Sequence, residues 1–138
     1  MEEAYAKTRR SFSGKLQNRA LEIFAGITKG QYSGIDISKN FDILVTKQDD
    51  ISARSIDFLS KGSLDQAYFA VRLALAELLG KENGGLPVIL DDIFSQYDDV
   101  RVTKGFEFLK NYAKNSQVIF FTCHKALTEQ TGANIIEI

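Results

Sequence analysis

The chain has one cysteine, one histidine, one proline and no tryptophan among its 138 residues, and each scarcity excludes something. A single Cys123 rules out a disulfide framework within the chain and fits a reducing, cytoplasmic setting. With His124 as the only histidine, Cys123 alone makes no zinc site. No apolar run approaches the roughly 20 residues of a membrane span, and the acidic start Met1-Glu2-Glu3 is not that of a signal peptide. A net charge of −1 gives no global attraction to nucleic acid or to an anionic membrane. Internal repeats, low-complexity tracts and the phosphate loop G-x-x-x-x-G-K-[ST] are all absent from the sequence.

What is present is an ordinary globular composition, sized for one domain. From Ala4 to Ala25 the pattern is helical, with Phe12, Leu16, Ala20, Ile23 and Ile27 on one face and Gly26 and Gly30 as the stop. The basic residues Lys7, Arg9, Arg10, Lys15 and Arg19 along it read as a solvated face. Residues 31–58 change to period two. Tyr32, Ile35 and Ile37, then Phe41, Ile43 and Val45, predict a hairpin turning at Ser38-Lys39-Asn40, and a third strand is expected over Ser52 to Phe58.

From Ser63 to Leu79 a second helix is expected, with Leu64, Ala67, Val71, Leu75 and Leu78 as its apolar face. Lys81 to Gly85 reads as a loop. Pro87 to Leu90 and, within Gln117 to Thr122, Val118 to Phe121 are continuously apolar, the pattern of strands covered on both faces. Between them Asp98-Asp99 caps a helix carrying Val102, Phe106, Leu109 and Ala113. A short helix from Lys125 to Gln130 and a strand from Asn134 to Ile138 complete the pattern. Strand, helix, strand, helix, strand argues for an α/β fold with parallel pairing, and ligand chemistry on such a sheet belongs at the C-terminal ends of its strands.

Two such ends carry reactive groups. Asp91 and Asp92 leave the first apolar strand side by side; a hard cation takes one or two carboxylates together with phosphate oxygens, so one acid is suited to a metal and the other to a reacting water. Taken alone, the pair also fits a strand-end cap. His124 follows the second strand, where it can serve a phosphate oxygen or simply start a helix. Adjacent residues on an extended chain point to opposite sides, so a Cys123–His124 nucleophilic pair is not expected. A third feature is Leu59-Ser60-Lys61-Gly62-Ser63-Leu64-Asp65-Gln66, a serine- and glycine-bearing turn opening into a helix, where free backbone N–H groups favour an anion. A plain cap by Ser60 or Ser63 explains the serine and Asp65 but leaves Leu59, Gly62 and Gln66 at their spacing unexplained.

In order along residues 12–138 these segments resemble the C-terminal half of the ATP-binding-cassette heads of SMC, SbcC and YhaN-type ATPases. Leu59-Ser60-x-Gly62-x-x-x-Gln66 looks like the signature motif, Val88 to Asp92 like the Walker B strand, Asp91 to Asp98 like Walker B followed by the D-loop, and Val118 to His124 like the switch-histidine strand. The resemblance implies a partial P-loop NTPase lobe. Its mostly parallel sheet would be flanked by helices, with an N-terminal helix and a β-hairpin in addition. Residues 1–30 would be the coiled-coil return into the head and 31–138 the lobe. Asp91 would assist Mg²⁺, Asp92 would polarise the attacking water where the family usually has Glu, and His124 would sense the γ-phosphate. Ser60, Lys61, Gly62 and Gln66 would contact ATP held by the opposite subunit, with Asp98 at the dimer seam. Ile93 stands where a Pro is common, and neither Walker A nor a Q-loop is in the sequence.

The implied ligands are ATP and Mg²⁺ in the complete head. The implied partners are an N-terminal half carrying Walker A, a second head, DNA and a nuclease subunit, with no membrane, in DNA repair or chromosome maintenance. The alternative is a non-catalytic dimerisation or DNA-contact module that keeps the lobe. A phospho-acceptor receiver domain, using Asp91, Asp92, Thr122 and Lys125, fails on the order of its strands.

Overall fold

The computed structural model describes residues 2–38, 40, 42–81, 85–95 and 97–137. The expected positions Lys39, Phe41, Gln96, Ile138 and most of the loop at 82–84 lie outside the described residues, as do the side chains of Lys7, Arg9 and Arg10. The chain divides into two compact units, Met1–Leu78 and Leu79–Ile138.

The first unit begins with helix α1, Glu2–Ile27. Of its expected stripe, Leu16, Ala20, Ile23 and Ile27 are buried, joined by Phe24, while Phe12 is partly exposed. The helix does not stop at Gly26. Lys29 takes the left-handed conformation (φ 59°), and Gly30 N–H donates back to Ala25 O at 2.8 Å, the six-to-one closure of a Schellman-type end.

Strands β1 (Tyr32–Ile37) and β2 (Ile43–Lys47) form the expected antiparallel hairpin. A register shift between Tyr32 and Gly34 resets the alternation, so Tyr32 and Ile35 both face inward although three residues apart. Phe24 packs on Tyr32 with ring centroids 4.5 Å apart, which ties α1 to the hairpin. The expected third strand is only Arg54–Ser55, β3, paired to β2. It ends because the Ser55 hydroxyl accepts from Asp57 N–H at 3.3 Å and starts a 3₁₀ turn over Ile56–Phe58.

Helix α2, Lys61–Gly80, follows. Its buried face is not the one the large residues suggest. Ser63, Gln66, Ala67, Ala70, Leu73 and Ala74 are buried, whereas Leu75 and Leu79 are exposed. Phe69 is buried as well, so the inner stripe mixes small side chains with Gln66, Phe69 and Leu73. Arg19 of α1 grips Glu77 with two hydrogen bonds, Nε to Oε2 at 2.5 Å and Nη2 to Oε1 at 2.8 Å, and reaches Glu22 at 2.7 Å. The Glu77 bonds raise the Arg19 pKa above its ordinary value. With the guanidinium about a third exposed, the pair contributes no more than about 1 kcal/mol. Its main effect is to join α1 to the helix that Ser60 starts.

In the second unit, β4 (Val88–Asp91) and β5 (Val118–Phe121) pair in parallel, from Val88↔Val118 to Asp91↔Phe121. The chain crosses between them through α3, Asp99–Tyr112, whose N-cap is Asp98: its Oδ1 accepts from Arg101 N–H at 2.9 Å. Val102, Phe106 and Leu109 bury as expected, together with Gly105 and Tyr112; Ala113 is instead the exposed C-cap. Phe94, Phe106 and Phe120 form the core, with centroids 4.8–5.5 Å apart.

The two strands are covered on one face only among the described residues. Leu90 is buried, but Ile89, Ile119 and Phe121 are exposed, so β4 and β5 alternate in burial despite their unbroken apolar sequence. Helix α4, Lys125–Thr131, ends at left-handed Gly132. The expected strand from Asn134 is not formed over 134–137, where Ile135 and Ile136 are exposed and no strand pairs with them. The outer edges of the β4–β5 pair are unpaired among the described residues, but residues 134–137 run along neither of them.

Candidate functional site

The first unit holds Ser60, Lys61, Gly62 and Gln66. Ser60 stands just before α2 and acts as its cap: its hydroxyl accepts from Ser63 N–H at 3.3 Å and donates to Ser63 Oγ at 3.1 Å. Ser60 and Lys61 are exposed, Gly62 is buried, and Gln66 has no exposed surface. Among the described residues the Gln66 amide makes no hydrogen bond from either Oε1 or Nε2. A buried, unpaired amide costs free energy that a simple cap does not require. Beside Ser60 and Ser63 lies a cleft of about 610 Å³ whose walls include Lys29, Lys47 and Arg54. Arg54 is paired with Asp50 at 3.4 Å.

The second unit holds Asp91, Asp92, Asp98 and His124. Asp91 ends β4 and is exposed. Asp92 follows with φ 45°, a left-handed backbone that costs a non-glycine residue of order 1 kcal/mol or more. That conformation is held from two sides. Asp92 N–H donates to Phe121 O at 2.8 Å, and Thr122 Oγ1 donates to Asp92 Oδ1 at 3.0 Å. The other carboxylate oxygen, Oδ2, faces His124 Nε2 at 3.7 Å. Thr122 Oγ1 also accepts from His124 N–H at 3.1 Å, so one hydroxyl orders both the acid and the chain that presents the imidazole. His124 sits at the N-cap position of α4 but makes no side-chain cap, which leaves its ring for other work.

The structure therefore brings Asp92 and His124 together at the C-terminal ends of adjacent parallel strands. Asp91 is not part of that cluster, and Asp98 is occupied in capping α3, with an ion pair to Arg101 at 3.3 Å. Two participants, Thr122 and Cys123, are placed at the strand end by the sequence reading but given no role at the ATP site. Thr122 is the hydroxyl that orients Asp92; a threonine closing an apolar strand opposite an acid was the available signal. Cys123 comes onto the same side as His124, and donor atoms of Asp92, Cys123 and His124 all lie within 4.8 Å of one another. The backbone bends at Cys123 instead of continuing extended, so the alternation expected for neighbours does not apply.

A carboxylate oxygen and an imidazole nitrogen flanking the same space can orient a water molecule and accept its proton. Asp91, an exposed carboxylate at the strand end, offers Mg²⁺ the single hard oxygen that such an ion commonly takes from protein when phosphate and water supply the rest. The donor chemistry fits.

No protein-family model matches the chain. The uncharacterized protein YhaN of Bacillus subtilis (strain 168) is 32% identical over 112 residues, covering 80% of this chain and 12% of that protein. The chain thus spans about an eighth of the length of that relative. A structure from work on ATP-driven dimerization and DNA stimulated activation of SMC ATPases superposes with a TM-score of 0.67 at 19% identity, over 96% of this chain and 79% of that one. The SmcHead bound to the C-winged helix domain of ScpA gives a TM-score of 0.66 at 21% identity, over 86% and 37%. The SMC head domain from Thermotoga maritima gives 0.61 at 20%, over 86% and 41%. The chain has the mixed α/β fold of an SMC head-domain lobe, combining helices, a parallel strand pair and an antiparallel hairpin sheet. No helix among the described residues is long and apolar enough to cross a membrane.

Proposed function

We propose that the chain is the C-terminal lobe of an SMC-like ATPase head, supplying the signature motif, the Walker B acids and the switch histidine to an ATP site completed by other segments. The observation that carries the reading is the Thr122–Asp92–His124 arrangement: a strained acid, fixed through one oxygen, with the other turned toward an imidazole at the strand ends. The fold supports it, as does the 32% identity to YhaN.

In this reading Asp92 Oδ2 orients the attacking water in line with the γ-phosphate and takes its proton, while His124 hydrogen-bonds the γ-phosphate. Asp91 would hold Mg²⁺, whose role when bound is to neutralise charge on the phosphates. Ser60, Lys61, Gly62 and Gln66 meet ATP held by an opposing head. There the start of α2 presents its N–H groups and positive dipole end to phosphate, and Lys29 and Lys47 stand on the wall of the adjoining cleft together with Asp49 and Asp50. Gln66 has no exposed surface and would meet the ligand only after a rearrangement at the start of α2. Asp98 lies at the seam. The Arg19–Glu77 grip then links the signature helix to α1, read as the coiled-coil return at residues 1–30, with the lobe at 31–138.

The outward face of Ile89, Ile119 and Phe121 is suited to cover by the remaining strands of the head. Full burial contributes about 1.5–3 kcal/mol per side chain. The partners in this reading are a Walker A-bearing N-terminal half, a second head, DNA and a nuclease subunit, in DNA repair or chromosome maintenance in the cytoplasm. SMC ATPases with ATP-driven dimerization and DNA stimulated activation are the precedent among the matched structures.

The test is ATP-dependent association. In heads reconstituted with a Walker A-bearing half, Ser60→Arg places a long cation at the centre of the ATP-bridged interface. It is expected to weaken the ATP-dependent dimer at least about thirtyfold, as loss of an interface hot spot does. Sedimentation velocity with and without ATP reads it. ATP-dependent dimers of undiminished affinity in the variant would remove Ser60 from the interface.

A further inference from the structure

We infer that Asp92, Cys123 and His124 form a binding site for a borderline-to-soft divalent cation, Zn²⁺ above all, distinct in chemistry from the Mg²⁺ position at Asp91. Three donor types, carboxylate oxygen, thiolate sulfur and imidazole nitrogen, converge with their ligand atoms within 4.8 Å of one another, and the Asp92 Oδ2 to His124 Nε2 distance is already 3.7 Å. Around a tetrahedral zinc, bonds of about 2.0–2.3 Å place donors roughly 3.3–3.8 Å apart. Modest side-chain rotations therefore close the set. Cys123 and His124 are exposed, so their side chains can turn toward Asp92 and the cation has an entry path.

The surroundings favour such a site. Thr122 Oγ1 holds Asp92 Oδ1 and leaves Oδ2 free to coordinate, the outer-shell bond that commonly orients a metal-binding carboxylate. Three protein ligands leave the fourth tetrahedral position to water. The thiolate selects Zn²⁺ or Co²⁺ over Mg²⁺, which prefers an all-oxygen shell. On binding, the Cys123 thiol releases its proton to solvent and no electron is transferred. The sequence reading that Cys123 alone makes no zinc site counted only Cys and His; the third ligand is an aspartate from the other strand.

The consequence for catalysis rests on the ATPase reading. Zinc held by Asp92 Oδ2 and His124 would occupy the groups that orient the attacking water, so the cation would act as an inhibitor of hydrolysis and Cys123 as the residue that admits it.

Cobalt titration of the purified chain under reducing conditions tests the site without ATP, so its outcome is separate from that of the ATPase reading. The chain has one Cys and one His, which makes each substitution unambiguous. The expected result is a thiolate-to-cobalt charge-transfer absorption saturating at one Co²⁺ per chain and displaced by Zn²⁺. It is lost in Cys123→Ser, and affinity falls at least about tenfold in His124→Ala and in Thr122→Val. Circular dichroism of each variant confirms that it remains folded. Absence of the absorption in the unsubstituted chain overturns the proposal. So does a band of unchanged affinity in His124→Ala, or saturation at one Co²⁺ per two chains with dimers in sedimentation, which would mean a cysteine bridge between copies.

Discussion

Replacing Asp92 by Asn in a head reconstituted from this chain and a Walker A-bearing half is expected to lower ATP turnover by about 10²–10⁴-fold while leaving ATP binding intact. The substitution is conservative in every respect but charge. Asn tolerates the left-handed backbone that Asp92 adopts, and its carbonyl can still accept the Thr122 hydroxyl. What disappears is the anionic oxygen that faces His124 at 3.7 Å. Multiple-turnover phosphate release reads the rate, and a fluorescent nucleotide reads binding. Unchanged turnover would remove Asp92 from the chemistry, and loss of binding together with turnover would assign it to ground-state nucleotide contact instead.

The second large effect is on stability. A Cβ at Gly105 would stand 2.5 Å from Phe94 Cε1 and 2.6 Å from Cζ. That ring cannot swing aside, because it is buried between Phe106 and Phe120. Replacing a mid-helix glycine by alanine ordinarily gains up to about 1 kcal/mol. Here overpacking, about 1–3 kcal/mol, outweighs the gain, and valine should be worse. Gly14 is the contrast, since nothing lies within 4 Å of its would-be Cβ. Gly105→Ala should lower the melting temperature by several degrees, at about 4 °C per kcal/mol, and Gly14→Ala should raise it. A Gly105→Ala chain as stable as the parent would show that the aromatic cluster is not rigid.

How far the sequence carried can be judged from particular elements. The helices and the parallel pair were legible because period and punctuation agree there: the stripe of α1, the Asp98 cap, the apolar runs at 88–90 and 118–121. The faces were less so. An unbroken apolar run looks the same whether a strand is covered on both sides in this chain or on one, and Ile89, Ile119 and Phe121 are open among the described residues. On α2 the period was right and the phase off by one: Ser63, Ala70 and Ala74 are buried one position before the expected Leu64, Val71 and Leu75, a difference that periodicity alone does not resolve. Strand β3 was over-extended because Ser55 looks like a strand residue until its hydroxyl finds Asp57.

At the site, Asp92 and His124 were visible as polar residues ending buried strands. Their separation was not, because it depends on strand register and on the bend at Cys123. The same bend brings Cys123 into the cluster. Thr122 entered only through the rejected receiver alternative, because a hydroxyl at a strand end has many uses, and only the parallel pairing aims it at Asp92.

The most direct test of the central claim is a phosphate-release assay on three samples: this chain alone, a Walker A-bearing N-terminal half alone, and the two together. The account predicts negligible turnover from either alone, because the phosphate loop and the Asp92–His124 pair reside on different chains. It predicts ATP-dependent turnover on mixing, abolished by Asp92→Asn. Robust hydrolysis by the chain alone would contradict it. So would a stable mixed complex that binds ATP and never turns it over, which would make the lobe a structural module and not half of an enzyme.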